Sequence, residues 1–366
     1  MSHVLLVGTR KGLFVLRGSG AHWQFDAPHF AGDPVTQVLV DPRDDVWYAA
    51  LRLGHFGVKL HRSVDRGRNW QELASPAFPP KPTHGPGSLD ATPWSVDMVW
   101  SLAAGGADEP AALWAGCLPA GLFRSVDHGA SWQLNDALWH EPRRKDWFGG
   151  GYDHAGIHGV LVDPRDSAHV TVAISCGGIW QTDDGGATWS LTARGMSAKF
   201  MPPEREYDEN IQDPHCMVQC AADPDVLWVQ HHCGIYRSID GARSWQAIAT
   251  PAPSAFGFAV ACDPRDPRRA WFAPAESDVR RIPVAAQVVV NRTRDGGETF
   301  ETLRDGLPQH DAYHLVYRHA LAVKSDGMAL AMASTTGALW ISEDAGDHWH
   351  VVSRDLPPAA VVRFAA

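Results

Sequence analysis

Three histidines, His158, His215 and His232, are the residues best suited by type and spacing to catalysis or metal binding. Three imidazoles that leave one coordination position open can hold a Zn, Mn or Fe ion that activates water. Asp153 or Glu206 would supply a fourth ligand or a carboxylate that orients an imidazole. Without a metal, the same imidazoles can exchange protons near neutral pH. No short motif such as HExxH holds them together in sequence, so only the fold can position them.

An eight-residue pattern of polar and turn-forming residues that ends in an aromatic residue occurs six times along the chain. The six copies, which we call the boxes, are SVDRGRNW (63–70), SVDHGASW (125–132), TDDGGATW (182–189), SIDGARSW (238–245), TRDGGETF (293–300) and SEDAGDHW (342–349). Their third-position aspartates are 62, 57, 56, 55 and 49 residues apart. A period of this length is typical of repeat architectures.

Each box belongs to a longer repeat of short β-prone runs separated by Gly, Pro and Asp, as in residues 157–194. Four such runs per repeat predict the blade of a β-propeller. The first repeat has a degenerate box ending at Trp23 and lacks its first strand, whereas the β-prone residues 359–365 lack a partner in the last repeat. We therefore predict an all-β, seven-bladed propeller whose ring is closed by the C-terminal strand, which completes blade one.

The repeat runs through the whole chain, so we expect one domain over residues 1–366. Long insertions at about 76–98, 137–156 and 195–214 interrupt the blades, and loops of this length are usually functional. The formal net charge of −10 argues against nucleic acid as a partner. Since we find neither a signal-peptide core nor a membrane-spanning run, we expect a cytoplasmic protein without a membrane partner.

Six cysteines are too sparse for a disulfide framework. Cys117, Cys176 and Cys233 occupy similar places after the second strand of successive repeats. We expect buried free thiols, and the alternative is a thiolate metal or redox site.

Asp127 and Trp132 of the second box could belong to an active site or to the scaffold. The box is the expected turn between the third and fourth strands of a blade, where Asp can accept hydrogen bonds from turn amides and Trp can begin the fourth strand. We therefore interpret both residues as scaffold. All boxes would share one face of the propeller, and we expect function on the opposite face, around the central funnel.

Polar residues gather in the loops that should reach this funnel. Our candidates for catalysis are His158, His215, His232, Asp153, Asp311, Tyr313 and His314. Our candidates for substrate binding are Arg10, Lys11, Arg52, His55, Trp94, Glu206 and Arg280. The insertions add Trp94, Trp147, Phe148, Phe200 and Tyr207, which would form a lid or a sugar-stacking wall, or else pack on each other.

The boxes resemble the Asp-box or BNR repeats of sialidases, sortilin-type receptors and photosystem assembly factors. The segments LLVGTRKGLFVL, FRSVDHGASW, RRIP and GLPQHDAY are similar to those of bacterial BNR-repeat proteins often labelled glycosyl hydrolases or exo-sialidases, within the WD40/YVTN/BNR-like superfamily. The resemblance covers nearly the whole chain and implies a sialidase-like fold. It does not fix the activity, because the same repeat serves enzymes, receptors and scaffolds.

The sialidase pattern itself is incomplete in this chain. The resemblance would imply an Arg-Ile-Pro motif before the first box, further carboxylate-binding arginines and a tyrosine–glutamate pair. Here the Arg281–Ile282–Pro283 triplet lies between the fourth and fifth boxes, and Arg10 is the only early arginine on the expected face. We therefore do not expect true sialidase activity.

Two functions remain open at this point. The protein could be a hydrolase- or lyase-like enzyme acting on a small polar, carbohydrate-like or carboxylated substrate in a His-rich funnel, with or without a divalent metal. It could instead be a non-catalytic propeller that binds a protein or peptide. The density of ionisable residues favours the first function, whereas a broad apolar or single-sign patch would favour the second.

Overall fold

Strands account for 41% of the chain in the computed structural model, which describes residues 3–84 and 87–365. In chain order they are β1 (His3–Thr9), β2 (Gly12–Ser19), β3 (His22–Phe25), β4 (Val35–Val40), β5 (Trp47–Arg52), β6 (Val58–Ser63), β7 (Gln71–Leu73), β8 (Met98–Ala104), β9 (Leu113–Leu118), β10 (Leu122–Ser125), β11 (Gln133–Leu134), β12 (Ile157–Asp163), β13 (Asp166–Ile174) and β14 (Gly178–Thr182). The second half contains β15 (Ser190–Leu191), β16 (Pro214–Gln219), β17 (Leu227–His231), β18 (Gly234–Ser238), β19 (Gln246–Ala247), β20 (Gly257–Asp263), β21 (Asp266–Pro274), β22 (Val290–Thr293), β23 (Glu301–Leu303), β24 (Leu321–Val323), β25 (Leu330–Ala333), β26 (Leu339–Ser342), β27 (His350–Ser353) and β28 (Ala359–Ala365).

Within residues 3–84 and 87–365, helical structure is confined to short segments. One α-helix, α1, spans Asp136–Trp139. The 3₁₀ turns in the described ranges are Gly54–Phe56, Pro142–Asp146, Pro203–Arg205, Glu209–Ile211 and Val284–Ala286. No helix in this part of the chain is long and apolar enough to cross a membrane.

The described strands form seven four-stranded sheets. Their spatial orders are β28-β1-β2-β3, β4-β5-β6-β7, β8-β9-β10-β11, β12-β13-β14-β15, β16-β17-β18-β19, β20-β21-β22-β23 and β24-β25-β26-β27. In six sheets, neighbours in the sheet are also neighbours in sequence, as four consecutive β-prone runs per repeat predict. The all-β, seven-bladed propeller prediction is confirmed.

The C-terminal strand completes the first sheet, as predicted. β28 pairs antiparallel with β1, from Val4 opposite Ala365 to Thr9 opposite Ala359. Val362 on β28 is fully buried in an apolar cluster that includes Leu5 and other residues of the first and last sheets. The pairing satisfies the edge of β1 that would otherwise be exposed.

The chain packs into two compact units. Unit A comprises Met1–Val38, Ala193–Asp208 and Pro214–Ala366, and unit B comprises Leu39–Thr192 and Glu209–Asp213. The most deeply buried tryptophans anchor the core of each unit: they are Trp228, Trp271 and Trp340 in unit A, and Trp47, Trp114, Trp139 and Trp180 in unit B. A single domain over residues 1–366 stays a prediction.

One turn geometry recurs in the six boxes. In the second box, the Ser125 hydroxyl donates to Asp127 Oδ1 (2.7 Å) and accepts the N–H of Gly129 (2.8 Å), a residue with φ of 84°. The Asp127 carboxylate accepts the N–H of Ser131 (2.9 Å) and its hydroxyl (2.6 Å). Trp132 donates its indole N–H to the carbonyl of Ala74 (3.0 Å), which follows the last strand of the neighbouring sheet. These contacts support the scaffold interpretation of Asp127 and Trp132.

Hydrogen bonds within the boxes keep their carboxyl groups ionised. Each of these aspartates accepts hydrogen bonds from the side chain and the backbone N–H of the residue four positions later, and from the Ser or Thr hydroxyl two positions earlier. These bonds lower the pKa of four box aspartates to about 2; they are Asp65, Asp127, Asp184 and Asp295. A carboxylate that accepts several such bonds favours its charged form.

The cysteines are buried or half-buried free thiols, as expected. All six are free, and Cys233 is the one that is only partly buried. Burial raises the pKa of the Cys117, Cys216, Cys220 and Cys262 thiols. A raised pKa disfavours the reactive thiolate, so these four groups suit packing.

Val362→Ala is expected to lower the free energy of unfolding by about 2 kcal/mol, because a buried side chain loses two methyl groups and leaves a cavity. The matched change Val64→Ala, at a residue that is 71% exposed, should alter it by less than about 0.5 kcal/mol. Urea unfolding of both variants measures the difference. Equal, negligible losses would show that the C-terminal strand is not part of the first sheet.

The box carboxylates make stability depend on acid pH. Their pKa is lower in the folded chain than in the unfolded chain, where Asp titrates at about 3.9, so their stabilisation is complete above about pH 5 and is lost as the pH falls towards about 2. Asp127→Asn should therefore melt below the parent at neutral pH and approach it in strong acid. A melting-temperature difference that is constant between about pH 7 and pH 2 would contradict this account.

Candidate functional site

His215 and His232 lie together in unit A, with ring centroids 5.3 Å apart and an interplanar angle of 73°. His215 is the second residue of β16, and His232 directly follows β17. Pro214 pairs with His231 across these antiparallel strands, so the start of β16 lies beside the end of β17. The register of a single hairpin therefore brings the two imidazoles into contact.

Phenylalanine rings surround this pair. His215 stacks on Phe258 (4.6 Å, 12°) and meets Phe256 edge-on (5.6 Å). His232 contacts Phe256 (5.6 Å) and Phe200 (4.8 Å) in edge geometry. Phe256 and Phe258 flank Gly257 at the start of β20, where residues two positions apart face the same side of a strand. We call His215, His232 and these three phenylalanines the imidazole cluster.

The main chain sets the tautomer of His215. Its Nδ1 lies 2.7 Å from the carbonyl oxygen of Gly257. A carbonyl oxygen only accepts hydrogen bonds, so Nδ1 carries the proton and Nε2 carries the lone pair. Since His215 is 2% exposed, this lone pair is held in a site with little water. The geometry suits a base or a metal ligand.

A carboxylate accompanies the second imidazole. Nε2 of His232 lies 3.7 Å from Oδ2 of Asp278, and the His232 side chain is 20% exposed. This distance is too long for a hydrogen bond but allows the carboxylate to stabilise a positive charge on the ring. The two imidazoles therefore have different polar neighbours, a main-chain carbonyl at His215 and a carboxylate at His232.

Positive charge also lies near the cluster, against the Phe258 ring. The guanidinium carbons of Arg281 and Arg318 are 5.6 and 5.7 Å from the centre of the Phe258 ring. Arg281 is exposed and so can meet an anionic ligand. Arg280, the sequence-based candidate, pairs with Glu276 (2.8 Å) and has a side chain that is 66% exposed.

Other candidates in unit A have local contacts of their own or are exposed. Glu206 accepts a hydrogen bond from the Ser197 hydroxyl (2.6 Å). His314 contacts the hydroxyls of Ser334 and Thr336, and burial, aided by the charge of Arg354, lowers its pKa. The remaining candidates of this unit are exposed; they are Arg10, Lys11, Asp311 and Tyr313.

The candidates in unit B have varied surroundings. His158 is fully buried, with its ring 5.5 Å from that of Trp100, which suits packing better than catalysis. Arg52 pairs with Asp97 (2.6 Å), and the exposed His55 lies 3.9 Å from the ring of Phe56. Asp153 is exposed, and Trp94 contacts Trp139 edge-on (5.5 Å).

Sequence reasoning missed four members or neighbours of the imidazole cluster, namely Phe256, Phe258, Asp278 and Arg281. The alternating Phe-Gly-Phe at the start of an apolar run could have predicted two aromatic rings on the same side of a strand. Asp278 and Arg281 lie in an irregular loop, where spacing carries no such information.

No family model and no curated protein matches the sequence. Solved structures do match. An ancestral GH74 enzyme is 15% identical with a TM-score of 0.59, and the alignment covers 90% of this chain and 38% of that one. YCF48 from Cyanidioschyzon merolae is 12% identical with a TM-score of 0.56, and the alignment covers 88% and 87% of the two chains. A structure of YCF48 bound to D1 peptide is 14% identical with a TM-score of 0.52, covering 86% and 83%.

These similarities support the propeller fold and do not assign an activity. The identities lie far below the level at which function transfers, and propellers serve many functions. The chain spans little more than a third of the ancestral GH74 enzyme chain, so that protein's activity does not pass to it.

The tautomer of His215 can be measured. We expect Nδ1 to be protonated and Nε2 unprotonated in the neutral ring, because the Gly257 carbonyl accepts from Nδ1. Long-range proton–nitrogen NMR correlations of ¹⁵N-histidine-labelled protein distinguish the two tautomers, and His215→Gln assigns the signal. A neutral ring with its proton on Nε2 would show that the hydrogen bond is absent.

Proposed function

We propose that the protein is an acid–base enzyme, hydrolase- or lyase-like, that acts on a small carbohydrate-like substrate carrying a carboxylate. The observation that carries this proposal is the imidazole cluster, in which His215 is oriented by a main-chain carbonyl and His232 lies beside a carboxylate. Two imidazoles in different settings are suited to opposite proton-transfer roles. The phenylalanines reduce local water and strengthen charge interactions.

Each residue then has a defined role. Nε2 of His215 takes a proton, either from water or from the carbon next to the substrate carboxylate. His232, with Asp278 stabilising its charged form, gives a proton to the leaving oxygen. Arg281 holds the substrate carboxylate.

Both reaction types balance with these groups. In hydrolysis, the water oxygen attacks as His215 takes its proton, and the C–O bond breaks towards the oxygen protonated by His232. In elimination, the C–H electron pair becomes a C=C bond while the same C–O bond breaks. Neither route needs an oxidant or a reductant.

A divalent Zn, Mn or Fe ion is the second way to use the imidazoles. Two histidines supply part of a ligand set, and a carboxylate commonly joins them. Asp213 precedes His215 by two residues in sequence, so Asp213→Asn belongs in the metal assay beside His215→Gln. Metal that is stoichiometric in the parent and lost in these variants would favour metal-assisted chemistry at His215.

Peptide binding is the competing function. Unit A exposes large apolar or aromatic side chains in its loops: Phe200 (39%), Tyr207 (69%), Val279 (85%) and Tyr313 (58%). Exposed aromatic residues are common in protein interfaces, and the solved structure of YCF48 bound to D1 peptide shares the fold. Peptide binding that depends on Tyr207 and Tyr313, without turnover of any saccharide, would favour this function.

His215→Gln and His232→Gln should each slow turnover by roughly 10²–10⁴-fold, because each removes a proton-transfer group. Substrate affinity should change much less. The control is His350→Gln, at an exposed histidine of β27, which should leave both properties unchanged. Uronate and neutral oligosaccharides are the test substrates; ultraviolet absorbance detects unsaturated products and a reducing-end assay detects hydrolysis. Unchanged turnover in the double His215→Gln, His232→Gln variant would contradict the proposal.

A further inference from the structure

Unit B contains a cleft of about 550 Å³ between two of the long insertions. One wall comes from residues 87–94 and the other from residues 139–147, with His154 also contributing. This volume lies within the usual range of small-molecule sites, roughly 300–1,000 Å³. The residues that line the cleft are not those of the imidazole cluster, so its ligand can be argued from its own residues.

Two tryptophans of the cleft have their polar edges bound by the protein. The indole N–H of Trp94 donates to Oδ2 of Asp90 (3.3 Å), and that of Trp147 donates to Oδ1 of Asn210 (2.9 Å). Trp94 also meets Trp139 edge-on (5.5 Å), and Trp147 meets Trp180 in the same way (5.7 Å). The half-buried rings are therefore fixed in place and offer a ligand their apolar surface rather than a hydrogen-bond donor.

The acidic groups of the cleft are neutralised by arginines. Arg144 donates to Asp90, and its guanidinium lies 3.9 Å from the centre of the Trp139 ring. Burial alone would raise the pKa of Asp90, but hydrogen bonds from Arg144 and Thr92 outweigh it and lower the pKa. Glu141 accepts from Nε of Arg143 (2.7 Å). The carboxylates of Asp90 and Glu141 are thus ionised and hydrogen-bonded to arginines.

Nitrogen donors remain around the two rings. The side-chain nitrogens of His140, Lys145 and His154, all lining the cleft, have no hydrogen-bond partner within residues 3–84 and 87–365. With the carboxylates paired to arginines, Lys145 supplies uncompensated positive charge. A ligand that suits this arrangement has a flat apolar face, several oxygen acceptors and a negative charge.

We propose that the cleft binds an acidic saccharide, with sugar rings on Trp94 and Trp147 and a carboxylate directed to Lys145. The C–H face of a pyranose is apolar and matches an indole ring, while its hydroxyl oxygens accept from His140 and His154. The fixed rings lower the entropic cost of binding. This binding does not depend on the acid–base function proposed for unit A.

Isothermal titration with tri-galacturonate, and with cellotriose as its neutral counterpart, tests the proposal. Trp94→Ala and Trp147→Ala should each weaken tri-galacturonate binding about ten-fold, through loss of an aromatic contact. Lys145→Ala should weaken tri-galacturonate about two- to five-fold and leave cellotriose unchanged. Phe56→Ala, at an exposed aromatic of unit B, is the matched control and should have no effect.

Three results would overturn the proposal. The first is that the intact protein does not bind tri-galacturonate. The second is that the Lys145 variant and both Trp variants bind tri-galacturonate with unchanged affinity. The third is that the Lys145 variant loses equal affinity for tri-galacturonate and cellotriose. Lys145 is exposed, so its variant should fold even if a Trp variant does not. The double His215→Gln, His232→Gln variant should retain tri-galacturonate affinity at the cleft, which separates failure here from failure of the proposed activity.

Discussion

The fold depends on one hydrogen-bond arrangement that is repeated six times. In each box a Ser or Thr hydroxyl and an Asp carboxylate together accept backbone N–H groups of the turn between the third and fourth strands. Turn amides without a hydrogen-bond partner would lower the stability of the fold, so the hydroxyl and carboxylate positions of the box accept few other residue types. Because these polar groups are bound within their own turns, we look for substrate chemistry in residues outside the boxes.

The imidazole cluster illustrates how such residues are placed. The β16–β17 hairpin brings His215 and His232 together, and the next sheet supplies Phe256, Phe258 and the Gly257 carbonyl. Burying an imidazole is unfavourable unless its polar atoms find partners. The hydrogen bond to Gly257 and the ring stack on Phe258 offset that penalty for His215 while fixing its orientation.

Periodicity was enough to predict the seven sheets, and the unpaired tail at residues 359–365 predicted how the first sheet is completed. Position within the repeat was less informative for the site. His158 and His215 both lie at the start of a first strand, yet His158 is buried against Trp100 and His215 lies beside a second histidine. The difference arises from the side chains that neighbouring strands and turns place against each histidine, and a repeat pattern does not encode them. The Asp90–Arg144 pair, whose two residues are 54 positions apart in sequence and lie in different insertions, was unpredictable for the same reason.

The central claim is that His215 and His232 exchange protons with a substrate in opposite senses. The most direct test is the pH dependence of kcat/KM on a saccharide that the parent protein turns over. The account predicts a bell-shaped profile in which His215→Gln removes the limb that reports the base and His232→Gln removes the limb that reports the acid. A profile that keeps both limbs in both variants would contradict it.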